Sequence, residues 1–144
     1  MSLDNYALSP GRKAQRTAQW ARIMTKWLVT YSYRRGARWR LVEFGGNTGA
    51  ESAGIVDLLA IRKDHRKGKA GLKRGDDFEM VLIQTKGGSA LRPTSEDIVR
   101  LTKVARIHKA KAVVLIEWQR EKRFTMFQLN KAQWQPVDPV AVFG

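Results

Sequence analysis

Apolar side chains recur at helical spacing in two segments of the chain. The first repeat follows Ser9-Pro10, a pair typical of a helix start, and predicts a helix over about residues 10–33. Its members are Ala14, Ala18, Ala21, Met24, Leu28 and Tyr31. The second repeat, from Ile98 to Ala105, follows a Thr94 to Asp97 capping-box pattern and predicts a helix over about residues 95–109.

Shorter apolar runs predict five strands. They lie at about residues 39–44, 55–61, 77–88, 112–118 and 123–129. The order is helix, three strands, helix, two strands, which indicates an α/β sandwich with a mixed central sheet flanked by helices. We expect one domain over residues 1–144, with a core at about 10–130 and a basic hairpin loop at 62–75. The tail at 131–144 contains Pro136 and Pro139 and is expected to be irregular.

The third predicted strand ends in polar residues that share one face. Gln84 and Lys86 are two residues apart, and side chains alternate along a strand. A Lys at the end of an apolar run is costly without a partner or a function. Asp57 lies inside the preceding apolar run, where a lone carboxylate is equally costly. If these strands form an antiparallel hairpin, Asp57 and Lys86 meet at one end of the sheet.

The charge balance indicates a polyanionic partner. The chain has 27 Lys and Arg against 13 Asp and Glu, a formal net charge of +14. Nucleic acid is the first candidate partner and an anionic membrane surface the second, while a solvated basic surface is the alternative. There is no Cys and there are only two His, so any metal site is expected to use oxygen ligands and Mg²⁺ or Mn²⁺. The polar N-terminus and the lack of a membrane-length apolar run predict a cytoplasmic protein.

Two segments carry the candidate nucleic-acid-binding cations. The first helix has no acidic residue, and its cationic face is interpreted as tracking phosphates, with a solvated face as the alternative. Its members are Arg12, Lys13, Arg16, Arg22 and Lys26. The hairpin loop adds Arg66, Lys67 and Lys69, for which phosphate binding and simple solvation are equally weighted.

A carboxylate beside a strand-end Lys, on a cationic domain, fits metal-assisted phosphodiester cleavage. Asp57 would hold Mg²⁺ against the scissile phosphate, and Lys86 would orient or help to deprotonate the attacking water. The alternative is a buried Asp57–Lys86 ion pair without catalytic function. Among the tryptophans, Trp20, Trp27 and Trp118 are assigned to the core, and Trp134 is the candidate for exposed stacking.

These motifs resemble the PD-(D/E)xK nuclease superfamily, and within it the archaeal Holliday-junction resolvases and similar small nucleases. The resemblance covers about residues 10–130 and rests on residues 54–60, 80–86 and 111–118 and on the helix after Pro93. It implies a restriction-endonuclease-like fold, a Mg²⁺-dependent DNA endonuclease and a homodimer. It also implies that Asp57 binds metal and that Lys86 is catalytic.

The chain departs from the family pattern at two places. Gln84 stands where an acidic residue is usual, and an amide oxygen can ligate Mg²⁺ but brings no charge. The first helix lacks the Glu that the family often has there, and Glu51 is the candidate replacement ahead of Glu43. Ser52 matches, weakly, a loop Ser that assists in the resolvases.

Two functions therefore compete. The first is a metal-dependent endonuclease acting on DNA, with branched or structured DNA as the substrate that the resolvase resemblance implies. The second is an inactive nucleic-acid-binding module on the same fold. An RNA-binding protein ranks last, because charge alone gives no reason for the positions of Asp57 and Lys86.

Overall fold

A computed structural model describes residues 10–44, 54–66, 68, 70–87, 91–119 and 124–144, without the side chains of residues 10–15 and of Thr17. Over these ranges the chain forms three helices and six strands. In chain order they are α1 (Pro10–Ser32), β1 (Arg40–Glu43), β2 (Leu58–Asp64), β3 (Asp77–Gly87), α2 (Ser95–Ile107), β4 (Ala112–Trp118), β5 (Thr125–Asn130), β6 (Gln133–Pro136) and α3 (Pro139–Phe143). The predicted α/β class with a mixed sheet is confirmed.

The six strands form one sheet in the order β1-β2-β3-β4-β5-β6. Strands β1, β2 and β3 are antiparallel neighbours, as are β4, β5 and β6. The pair β3–β4 is parallel, and α2 lies in the connection between these strands, because parallel strands need a crossover. The predicted antiparallel pairing of the strand next to Asp57 with the strand that carries Gln84 and Lys86 is confirmed.

Helices cover both faces of the sheet. Val29 of α1 and Phe143 of α3 belong to one apolar cluster, which includes Val81 and Ile83 of β3. Leu101 of α2 belongs to a second cluster on the opposite face, which includes Leu82 of β3. Strand β4 is buried from Ala112 to Glu117, because helices lie over both of its faces. Among the described residues, no helix combines the length and apolar character needed to cross a bilayer.

Two tryptophans of helix α1 that were predicted to lie in the core are exposed, so this prediction was wrong. Trp20 and Trp27 are 59% and 54% exposed, and small side chains, Ala21 and Thr25, face the sheet instead. Small residues at this contact let the helix backbone approach the strands closely, which leaves the large aromatic rings on the outer face. The assignment of Trp118 is confirmed: it packs against the first cluster, and its Nε1–H donates to Oγ1 of Thr25 over 3.0 Å.

The tail is regular, so the prediction of an irregular segment over 131–144 was wrong. Pro136 is the last residue of β6, an edge strand, and Pro139 is the first residue of α3, where no helical N–H bond is required. Asp138 caps α3 through the N–H of Val140. Trp134 is half-buried against the second cluster, so it is not the exposed stacking residue that the sequence suggested.

The basic loop is shorter than predicted, because β2 continues to Asp64. Arg62 lies in the strand, its guanidinium packs 4.2 Å from the ring centroid of Trp39, and its Nε donates to Glu79 over 2.7 Å. Arg62 is therefore a structural residue and not part of a solvated connection.

Candidate functional site

The β2–β3 hairpin brings Asp57 next to the end of β3. Asp57 lies one residue before β2, slightly ahead of its predicted place within the strand. Its N–H donates to the carbonyl of Ile83 over 3.1 Å, and its carbonyl accepts from the N–H of Phe44 over 3.1 Å. The backbone of Asp57 therefore joins β3 to the end of β1, which fixes the position from which its side chain projects.

The Asp57 carboxylate is held by the backbone of β3. Its Oδ2 accepts from the N–H of Thr85 over 2.9 Å. Burial raises the pKa of Asp57, while the Thr85 hydrogen bond and the guanidinium of Arg22 lower it and only partly offset the burial. A carboxyl group of this kind is stabilised in its charged form by an added cation.

The side-chain amide of Gln84 has a defined orientation. Its Nε2 donates to the carbonyl of Ile55 over 2.5 Å. A carbonyl oxygen can only accept, so the amide nitrogen must face Ile55 and the amide oxygen is turned away from it. Gln84 thus offers an oxygen on the face of β3 that also carries Lys86.

Gln84, Lys86 and Asp57 line one cleft of about 390 Å³ on the face of the sheet covered by α2. The segment that enters α2 forms the opposite wall, which includes Arg92, Pro93, Thr94 and Asp97. The predicted meeting of Asp57 with the Gln84–Lys86 pair therefore occurs within a single concave site.

Sequence reasoning missed Arg92, which lines this cleft, and its partner Glu117. Glu117 of β4 is the register partner of Lys86, and its side chain is 8% exposed. Nε of Arg92 donates to Oε1 of Glu117 over 2.5 Å. The signal for Glu117 was present: like Asp57, it is a carboxylate inside a strongly apolar run. Arg92 lies in a short loop with no periodic pattern, so the sequence offered no comparable signal for it.

The charges that line the cleft balance one another. Asp57 and Asp97 oppose Lys86 and Arg92, and Asp97 is committed to the α2 capping box, where its Oδ2 accepts from the N–H of Thr94 over 2.9 Å. The lining groups alone therefore give the cleft no net positive charge, so without a cation a phosphodiester would be bound there through individual donors. A divalent cation would change that balance in favour of an anion.

The oxygen atoms of Asp57 and Gln84 are ligands of the kind that Mg²⁺ prefers. Asp57 supplies a carboxylate and Gln84 an amide oxygen, and Mg²⁺ is commonly held by one or two carboxylates together with water and substrate phosphates. Within the described ranges, no cluster of three or more His, Cys, Asp or Glu side chains is present. Glu51 and Ser52, the other predicted site residues, lie outside those ranges. The residues present fit a cation that retains water and substrate ligands.

The candidate phosphate-binding cations fall into four groups. Lys26 and Arg22 lie 3.1 Å and 3.8 Å from the carboxylate of Glu43, so the α1 charge is partly balanced by β1, contrary to the expectation of an unopposed face. Arg66 is highly exposed and pairs with Asp64 over 2.7 Å. Arg16 is exposed. The side chains of Arg12 and Lys13, and residues Lys67 and Lys69, lie outside the described part of the chain.

Comparisons with models of known families, with curated proteins and with solved structures found no match to this chain.

Proposed function

We propose that the protein is a metal-dependent DNA endonuclease of the PD-(D/E)xK type, with Asp57, Gln84 and Lys86 as its site. One observation carries this proposal: the β2–β3 hairpin brings a half-buried carboxylate, an oriented amide oxygen and a Lys into one cleft. Three such groups on a chain of net charge +14 suit cleavage of a polyanionic phosphodiester.

Each residue has a separate role in the proposed reaction. Asp57 and Gln84 would hold Mg²⁺ or Mn²⁺ through oxygen atoms. When bound, such a cation would supply Lewis-acid stabilisation of the phosphate and make the attacking water more acidic. The ammonium group of Lys86 donates to the attacking water or to a phosphate oxygen and offsets the developing negative charge. The N–H of Thr85 keeps the Asp57 carboxylate in place.

The order of elements supports the same proposal. A helix, three antiparallel strands, a second helix and a strand parallel to the third follow one another, as the resemblance predicts. We therefore propose a restriction-endonuclease-like fold. The preference for branched DNA and the homodimer derive from the resolvase resemblance and belong to the proposal.

Cleavage assays with single-site variants test the function. Wild-type protein is incubated with duplex and four-way-junction DNA in Mg²⁺ or Mn²⁺, alongside Asp57→Ala and Lys86→Ala. We expect metal-dependent nicks from the wild type and a loss of at least about 100-fold in both variants, because each removes a group that acts in the transition state. Binding measured in EDTA should persist in Lys86→Ala. Undiminished cleavage by both variants would refute the proposal.

A second function, an inactive nucleic-acid-binding module, is favoured by one observation. Gln84 carries no charge and its amide nitrogen is committed to Ile55, so the proposed metal ligands Asp57 and Gln84 bring only one negative charge between them. In that case DNA binding is salt-sensitive, and no nick appears with either metal. A metal-dependent nick that is lost in Lys86→Ala excludes the module.

A further inference from the structure

Arg92 lines the cleft, but the proposed chemistry does not use it. Its side chain is 51% exposed, whereas that of its partner Glu117 is 8% exposed. In the structural pair Arg62–Glu79, by contrast, both side chains are enclosed, at 10% and 9% exposed. In the Arg92–Glu117 pair the carboxylate is enclosed and the guanidinium extends into the site.

Two contacts fix the orientation of this guanidinium. Nε donates to Oε1 of Glu117 over 2.5 Å. The guanidinium carbon lies 4.8 Å from the centroid of the Phe127 ring, on the neighbouring strand β5. The carboxylate holds one edge of the planar group and the aromatic ring supports one face. One N–H of each terminal nitrogen points along the edge opposite to the stem, and this pair of donors is the part suited to an external acceptor.

The chemistry of that acceptor follows from the geometry. A planar fork of N–H donors matches the two non-bridging oxygens of a phosphate, with which it forms paired hydrogen bonds. Asp57, Gln84 and Lys86 line the same cleft, so a phosphate that Arg92 holds would lie close to all three residues.

We propose that Arg92 is a phosphate-binding residue that grips the nucleic-acid backbone within the cleft and sets its register against Asp57 and Lys86. The positioning of the backbone against Asp57 and Lys86 rests on the proposed function, whereas phosphate binding by Arg92 requires no cleavage. Glu117 and Phe127 hold the guanidinium in the orientation that this contact needs.

Salt-dependent DNA binding in EDTA tests the proposal with matched variants. Arg92→Gln keeps a donor for Glu117, so the buried carboxylate retains a hydrogen bond, but it removes the charge. We expect affinity to fall about tenfold, as for loss of one charge-assisted hydrogen bond, and the slope of log K against log salt to decrease by about 0.9. Arg92→Lys keeps the charge without the fork, so the slope should be retained while affinity falls severalfold. Arg106→Gln is the control, because it removes the same charge from the last turn of α2, whereas the cleft lies at the first turn.

Each result has one meaning. A wild-type slope in folded Arg92→Gln protein would overturn the proposal and leave Arg92 as a structural partner of Glu117. Wild-type affinity in Arg92→Lys would refute the paired-donor geometry. An equal loss in Arg106→Gln would show that only total charge matters, which also overturns it. Wild-type protein that never cleaves, combined with the slope change in Arg92→Gln, would refute the nuclease function alone.

Discussion

The backbone N–H of Thr85 donates to Oδ2 of Asp57 over 2.9 Å and joins the two halves of the candidate site. Thr85 lies between Gln84 and Lys86, whose side chains project to the opposite face of β3 from its own. The central residue thus positions Asp57 through its backbone, while its two neighbours provide the side chains of the cleft. The site depends at this point on the register of the hairpin and not on the identity of the Thr85 side chain.

Replacing Asp57 with Asn is expected to stabilise the fold while abolishing cleavage. The Asn oxygen can still accept from Thr85, and the neutral amide avoids the burial cost that raises the pKa of Asp57. We expect the free energy of unfolding at pH 7 to rise by about 1 kcal/mol. A gain of this size is usual for a single stabilising substitution. Urea denaturation measures this change.

The same variant gives a pH signature. Because the pKa of Asp57 is raised in the folded state, its unfavourable contribution is absent below the unfolded value of 3.8 and is complete above the folded value. The stability advantage of Asp57→Asn should therefore grow as pH rises from below 3.8 towards 7. An advantage that is constant over this range would contradict a burial-raised pKa. Comparison of two proteins at each pH removes the effect of the other titrating groups.

Replacing Gln84 with Glu is expected to tighten metal binding and weaken the fold. A second carboxylate lowers the Mg²⁺ concentration needed for half-maximal cleavage. The same change removes the Nε2–H donor to Ile55 and places a carboxylate oxygen against a carbonyl, at a cost of about 1–3 kcal/mol in unfolding free energy. Metal titrations of nicking rate and urea denaturation measure the two effects. A variant with an unchanged metal requirement would argue against Gln84 as a ligand.

Two substitutions in α1 test which of its faces is buried. Val29 is 1% exposed and Trp27 is 54% exposed, although Trp is the larger residue. We expect Val29→Ala to cost about 2 kcal/mol of unfolding free energy. Trp27→Ala should cost no more than about 1 kcal/mol, chiefly from lost stacking on Tyr31, whose ring centroid is 5.4 Å away. A larger loss in Trp27→Ala than in Val29→Ala, measured by urea denaturation, would reverse the assignment of faces.

The turn between β5 and β6 can be stabilised by Ala132→Gly. Asn130 and Gln133 are register partners, so Lys131 and Ala132 form a two-residue turn, with φ of 50° and 63°. Positive φ at both positions is the type I′ conformation, in which a residue with a Cβ atom is strained and Gly is not. We expect a gain of about 0.5–1 kcal/mol, after the entropy that Gly adds to the unfolded chain. Ala110→Gly, outside this turn, is the control, and it should not stabilise the protein.

Sequence patterns correctly predicted the elements that follow from local rules. Strand β4 and helix α2 have the predicted bounds to within two residues. Burial on both faces requires a continuous apolar run in β4, and the capping box of α2 requires particular residues at fixed positions, so both are visible in the sequence. The juxtaposition of Asp57 with Gln84 and Lys86 followed from a hairpin and side-chain alternation, both of which are local rules.

The elements that were wrongly predicted depend on tertiary context. The turn of Lys131 and Ala132 lacks the Asn-Gly signal of such turns, so β6 was not expected. Trp20 and Trp27 were assigned to the core from their positions in the sequence, but small residues occupy the helix–sheet contact. Arg92 meets Glu117 across 25 positions in sequence, a distance that no periodic pattern spans.

Because β3 lies at the centre of the sheet, it should open less readily than the segments at the edges. Val81, Leu82 and Ile83 pair with β2 on one side and β4 on the other, so their amides should exchange hydrogen with solvent only through global unfolding. Lys86 lies on this protected strand, whereas Asp57 lies in the segment before β2 and is tied to β3 by its N–H and its carboxylate. Local opening of that segment would break these bonds and separate the two groups while the centre of the sheet stays intact. Activity is therefore expected to disappear on heating before the β-sheet signal does.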